Sequence, residues 1–325
     1  DLPSGHLLAM KDMCLLRHIP DLVHAGICSF KIEGRMRHAD LLKIVVGIYR
    51  KAIDAYLDNP ATYYLSSGEY EQLYHHRIRE FTTSLAFTPA SASLVDISGS
   101  REPLFLSRAA KEPSLTIEDI YHTPFEDSVT DYQETGHPIL SVKVASMNAL
   151  MAALDEEADR IYISGEVSPL RKQFWTKISY KEACKRVHAA GKTIGIGTPR
   201  ITTEREMADA AWLFEQAASL GVDYVLVHNL GTMRLAKEFG LNILGDYSLN
   251  VINGQTVNLL KELGACGITT SLECSYNHLK QISIESSLPV ECIVHGPVSS
   301  MVLEHCIPAM MISKSHKKDN CRQVC

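Results

Sequence analysis

The sequence predicts an α/β fold: an incomplete TIM-type (β/α) barrel, preceded by a separate strand-helix unit and a connector. Three observations predict it. From His137 onward, short apolar runs of strand length alternate with segments of helical period. The unit recurs at roughly 20 to 30 residues, which is the spacing of βα repeats joined by short loops. Gly191, Gly221, Gly240 and Gly264 follow the helical segments, where left-handed C-terminal caps are found.

In chain order, residues 28–33 (CSFKIE) read as a short strand after a turn at Gly26. Residues 40–57 follow with Leu41, Leu42, Val45, Val46, Ile48, Tyr49, Ile53 and Tyr56 at helical spacing, and Asp58-Asn59-Pro60 closes that helix. Residues 61–136 are rich in Ser, Thr, Tyr and Glu and keep no period. They read as a connector or small β-rich insertion, with 92–97 a possible strand. Strands are then expected at 139–145, 160–164, 193–197, 224–227, 242–244, 267–270 and 290–294. Helices are expected at 147–156, 179–190, 203–220, 233–239, 255–263 and 276–282. Seven strands are predicted where a closed barrel takes eight. An open doubly wound sheet is the rival architecture, but no G-x-G-x-x-G follows the first strand. The expected organisation is 1–60, a strand-helix unit; 61–136, a connector; and 137–325, the barrel.

Composition narrows the function. A 46% apolar and 22% charged chain has the make-up of a globular protein, which sets aside fibrous and disordered classes. Net charge is −6 and the pI about 6.2, so no global field draws nucleic acid or an anionic membrane. A local basic groove stays open. No stretch reaches the roughly 18 to 20 apolar residues that span a bilayer. The N-terminus has neither Met nor signal-peptide architecture, and the chain stops at Cys325 directly after a cysteine pair. The expectation is a cytoplasmic protein cut at both ends from a longer one. The nine cysteines are odd in number, which argues against a disulfide framework.

Two stretches carry a resemblance to a known family. Lys11-Asp12-Met13-Cys14, then Gly26-Ile27-Cys28-Ser29-Phe30-Lys31-Ile32-Glu33-Gly34-Arg35-Met36, resembles the "KDLC … GIDSFKIEGRMK" segment of the U-32 peptidases, the collagenase-like peptidases. Tyr49 to Tyr56 continues the match. Later, Leu220 to Val227 is similar to a fourth barrel strand of that family. Tyr247-Ser248-Leu249-Asn250 resembles its "TQMN", and Glu291-Cys292-Ile293-Val294-His295-Gly296 its "EVFVHG". The resemblance implies that 1–60 ends one barrel and 137–325 forms most of a second. It also implies two activities. One is the peptidase of the family name. The other is iron–sulfur-dependent modification of RNA, tRNA or rRNA, by hydroxylation of pyrimidines with prephenate as oxygen donor. A non-catalytic scaffold or substrate-binding barrel is a third reading.

The site residues follow. The family signature places two cysteines after His-Gly and two more further on, the ligands of a 4Fe–4S cluster. Here the first position is Ser299, and Cys306, Cys321 and Cys325 fill the other three. Clusters of this kind take four thiolates, so Cys266, Cys274 or a residue beyond Cys325 could complete the set, or the site could be degenerate. Soft thiolates suit zinc as well. His295, at a strand end before Gly296, is a candidate substrate-contacting base. Glu33 and Arg35 are expected together at a strand end, where guanidinium and carboxylate could hold a polar substrate or only each other. Asp246 and Asn250, after the fifth barrel strand, are candidate cofactor-binding residues. No G-x-S-x-G or H-E-x-x-H is present to support a protease.

Overall fold

The computed structural model describes residues 9–34, 38–77, 79–88, 91–96, 138–165, 175–297, 299 and 302–303. These divide into two compact units, one within Asp1–Asp127 together with Met301–Cys325 and one within Ser128–Ser300.

In the first unit, β1 (Asp12–Met13) pairs in parallel with β2 (Phe81–Thr82). Three helices accompany them: α1 (Ile19–His24), α2 (Ala39–Asp58) and α3 (Ser67–His75). Leu16, Ile48, Ala52 and Leu73 form a small buried core. Helix α2 lies where the apolar spacing predicted it. Residues 27–34, in contrast, form no strand and most are exposed. The pattern of CSFKIE alternates as a strand should, but no neighbouring strand pairs with it among the described residues. Within 61–136, the described part holds a helix (α3), a two-residue strand and 3₁₀ turns at Ser84–Ala86 and Ala92–Leu94. Val95 makes a single antiparallel bridge to Met10 in place of the expected strand.

The second unit is a seven-stranded, all-parallel sheet in sequential order. Its strands are β3 (Ser141–Val144), β4 (Arg160–Ile163), β5 (Thr193–Gly197), β6 (Tyr224–Val227), β7 (Ile243–Gly245), β8 (Ala265–Thr269) and β9 (Val290–Glu291). The intervening helices are α4 (Met147–Asp155), α5 (Lys177–Ala189), α6 (Met207–Leu220), α7 (Leu230–Glu238), α8 (Gly254–Leu263) and α9 (Tyr276–Glu285). All seven predicted strands and six predicted helices of this region are present, within a few residues of the expected bounds. Side-chain caps start most of the helices. Ser146, Thr176, Asn229, Asn253 and Ser275 each accept a backbone N–H of the first turn, a contribution of about 1 kcal/mol apiece. Gly221 and Gly264 close α6 and α8 with φ of +66° and +114°, as the sequence predicts.

Alternation along each strand builds two cores. Ile161, Ile163, Ile194, Ile196, Val225, Val227 and Ile243 face outward and pack beneath the helices. Tyr162, Leu226 and Leu244, with Tyr224, form a separate cluster on the inner face. Gly195 makes room for it: a Cβ there would sit 2.8 Å from Tyr162 and 2.9 Å from Leu226. Two long-range contacts show that the sheet curls. Lys143 of β3 reaches Asp246 beyond β7, and Tyr162 of β4 reaches Glu291 of β9. In a flat sheet those pairs would stand roughly 19 and 24 Å apart, far beyond side-chain reach. The unit is a half-barrel.

Candidate functional site

In a barrel of this type the loops after the strands gather at one end, and side chains at the strand ends point into it. That end of the half-barrel carries a polar cluster. His228 directly follows β6 and Asp246 directly follows β7, and both are buried. His228 Nε2 lies 3.2 Å from Asp246 Oδ2. Lys143 donates to the same oxygen at 3.2 Å. The backbone N–H of Tyr247 donates to Asp246 Oδ1 at 2.7 Å. The carboxylate is thus held from three sides, and a buried charge needs such pairing. Of the three side chains, Lys143 alone keeps substantial exposure: 32% against 0% for His228 and 5% for Asp246.

The 3₁₀ turn Tyr247–Leu249 sets the next layer. Ser248 donates to the carbonyl of His228 at 2.8 Å, and its oxygen lies 2.8 Å from His228 Nδ1. A hydroxyl has one proton. With that proton on the carbonyl, Nδ1 must be the donor to Ser248. Asn250 ends the turn in the left-handed conformation, φ +56°, and its Oδ1 accepts from Ser271 Oγ at 2.8 Å. Arg200 stacks over the Tyr247 ring, 5.0 Å from its centre.

A second polar chain crosses the inner face. Arg160 donates to Tyr162 at 3.2 Å, and Tyr162 donates to Glu291 at 3.0 Å. Thr269 donates to the other oxygen of Glu291 at 3.1 Å. Burial, then the Glu291 charge, pushes the Tyr162 hydroxyl well above the ordinary phenol range. It therefore remains a neutral donor, bracing β4 against β9.

The sequence-predicted residues fare differently. Asp246 and Asn250 are brought into one turn. His295 lies beyond β9 and is exposed. Glu33 does not end a strand as expected: it is exposed in a segment without regular structure and pairs with Lys31 at 2.8 Å. Arg35, Cys306, Cys321 and Cys325 lie outside the described residues. Lys143, His228, Ser248, Glu291 and Tyr162 were not singled out from sequence. Two had a usable signal: His228 immediately follows an apolar strand run, and Lys143 is the lone charge within one.

The two described candidates for a fourth thiolate, Cys266 and Cys274, are both hydrogen-bonded thiols. Cys266 is the extra residue of a register shift between β7 and β8, near the start of β8 and so away from the mouth. Its thiol donates to the Ile243 carbonyl at 3.2 Å, and that of Cys274 to the Val251 carbonyl at 3.5 Å. Burial raises the pKa of both, which disfavours the thiolate a metal requires. Among the described residues no group of three or more His, Cys, Asp or Glu is arranged to hold a metal. No described helix is long and apolar enough to cross a membrane.

A model of the family described as Peptidase family U32 matches residues 3–95 and 145–325. An uncharacterized protease of Methanocaldococcus jannaschii is 27% identical over 188 residues, 55% of this chain and 46% of that protein. The tRNA hydroxylation protein P1 of Bacillus subtilis is 39% identical over 66 residues, 20% of this chain and 16% of that one. The 23S rRNA 5-hydroxycytidine C2501 synthase of Escherichia coli is 40% identical over 53 residues, 16% of this chain and 8% of that one. The matched stretches span less than half the length of each of these relatives.

Proposed function

The chain belongs to peptidase family U32, and on that premise we propose that it is an RNA-modifying enzyme that hydroxylates pyrimidines. The observation that carries this reading is the Lys143–Asp246–His228 cluster at the C-terminal end of the half-barrel. Relatives that share segments of the chain act, by their names, in tRNA hydroxylation and in 5-hydroxycytidine synthesis on 23S rRNA, which supports an RNA base as substrate. In this reading one oxygen atom is inserted into a ring C–H bond, a two-electron oxidation of the base, and the co-substrate that gives up the oxygen, such as prephenate, is reduced by the same two electrons.

The residues present suit these roles. Asp246 fixes the Lys143 ammonium, whose remaining N–H groups are free in number to meet a carboxylate or phosphate oxygen. His228, packed between Ser248 and Asp246, sets an imidazole at the mouth. Cys306, Cys321 and Cys325 would hold an iron–sulfur cluster through three sulfurs, and the hydrogen-bonded thiols of Cys266 and Cys274 are not proposed as its fourth ligand. When bound, such a cluster supplies one-electron chemistry. His295 and Arg35 remain proposed contributors to substrate contact, with Glu33. A strain lacking the gene, examined by mass spectrometry of RNA nucleosides, tests the reading: hydroxypyrimidine should fall, and an unchanged level would refute it.

A second reading, peptide hydrolysis, has one observation in its favour. Ser248, His228 and Asp246 are linked in the order of a nucleophile, base and carboxylate. The proton order opposes it. The Ser248 hydroxyl points to a carbonyl, and Nδ1 donates to it, so the imidazole is not placed to remove that proton.

A further inference from the structure

The chain is acidic overall, at net −6, yet residues 171–192 contain seven Lys or Arg and a single acidic residue, Glu182. The described part of this run is α5. Its inner face, Tyr180, Ala183, Cys184 and Val187, is buried against the sheet. Its outer face carries Lys177, Lys181 and Lys185, all exposed. They fall four residues apart, so they line up at about 6 Å intervals along one side of the helix. Like charges at that spacing weaken a helix. The helix itself offers no relief. Glu182 is bound by Arg186 at 2.7 Å, and the three lysines make no ion pair among the described residues.

Position gives the stripe its meaning. Helix α5 follows β4, so its first turn stands at the same end of the half-barrel as Lys143, His228 and Asp246. Lys177 is on the rim of the mouth. Lys181 and Lys185 lead away from it, one and two turns down the outer wall. The rise of about 6 Å between successive lysines is comparable to the separation of successive phosphates on an extended strand. Point-charge lysines on flexible stems suit sequence-independent phosphate contact.

We propose that this outer face of α5 binds the phosphate backbone of an RNA strand, guiding a nucleotide toward the half-barrel mouth. The inference rests on the RNA reading for its substrate, and it adds where that substrate docks. It does so without a basic protein, because the three lysines are dense on one side of a single helix.

The test is fluorescence anisotropy of the whole chain with a labelled tRNA transcript across a salt series. The variants are the triple charge reversal K177E/K181E/K185E, the triple neutral change to Gln, and a control reversal, K261E/K280E, on α8 and α9. Circular dichroism melts check that each variant is folded. The expected result is a loss of affinity of tenfold or more for the reversal and a smaller loss for the Gln set. Affinity of the control should be unchanged. The slope of log affinity against log salt should shrink by about 2 in the Gln set, the value for three phosphate contacts on a single strand. Wild-type affinity in the triple variants, no RNA binding by the wild type, or binding to phosphatidylglycerol vesicles in place of RNA would each overturn it. Nucleoside analysis of the deletion strain separates the two claims. Unchanged hydroxypyrimidine with lysine-dependent RNA binding sinks the modification reading and keeps the docking face. Gene-dependent hydroxypyrimidine with full binding and activity in the triple variants does the reverse.

Discussion

Lys143 of β3 and Asp246, just past β7, meet at 3.2 Å across the open face of the half-barrel. This pair ties the first strand of the sheet to the fifth and sets two charges at the mouth. Replacing Asp246 with Ala leaves Lys143 and His228 without their carboxylate. A fully buried pair broken in this way costs 3–5 kcal/mol. Because Lys143 is partly solvated, a loss of about 1–3 kcal/mol is expected, read from the urea midpoint at constant m-value. Lys143→Met should cost less, since its removal leaves Asp246 with His228 and a backbone N–H.

Ser248→Ala separates the two functional readings. Its hydroxyl buttresses His228 and contributes about 1 kcal/mol to stability. RNA hydroxylation should survive the change in reduced measure. A serine-directed phosphonate should leave Ser248 unlabelled in mass spectra of its peptide. Labelling of Ser248, together with loss of gelatin cleavage in the variant, would establish the peptidase instead.

Cys184 on α5 provides a pH prediction. Burial, followed by the nearby Asp223 charge, raises its thiol from an ordinary value near 9 to about 11. The folded state therefore prefers the neutral thiol. The stability this gives is fully present below the unfolded pKa, about 8.5 to 9, and is lost as pH rises toward about 11. Cys184→Ala should flatten the stability profile across that window. Iodoacetamide at about pH 8 should modify exposed Cys28 and Cys292 before Cys184, because the thiolate is the reactive form.

The cysteines make a metal prediction. Protein purified without oxygen should contain iron and sulfide. Cys306→Ala and Cys321→Ala should remove both, whereas Cys266→Ala and Cys274→Ala should not. A colourless wild-type protein would withdraw the cluster. Iron that depends on Cys266 would keep the cluster and make that residue its fourth ligand.

The half-barrel was largely legible in the sequence because parallel strands buried on both faces leave continuous apolar runs, such as Ile161 to Ile163. Helix-terminal glycines marked their boundaries. The site was less legible. Asp246 was found because it ends a strand within a recognisable segment. Lys143 and Tyr162 were not, because their partners Asp246 and Glu291 lie 103 and 129 residues away and meet them only through the curl of the sheet. Residues 28–33 show the opposite failure. A strand-like alternation specifies a face, but a strand exists only where another backbone pairs with it, and Lys31 and Glu33 pair with each other at the surface instead.

The most direct measurement is complementation of a deletion strain with the wild-type gene, Asp246→Asn and Lys143→Ala, each checked for folded protein, followed by mass spectrometry of tRNA and rRNA nucleosides. The wild type should restore hydroxypyrimidine, and both variants should restore less than a tenth of it. Full restoration by folded Asp246→Asn and Lys143→Ala, or no change in hydroxypyrimidine on deletion, would contradict the proposed function.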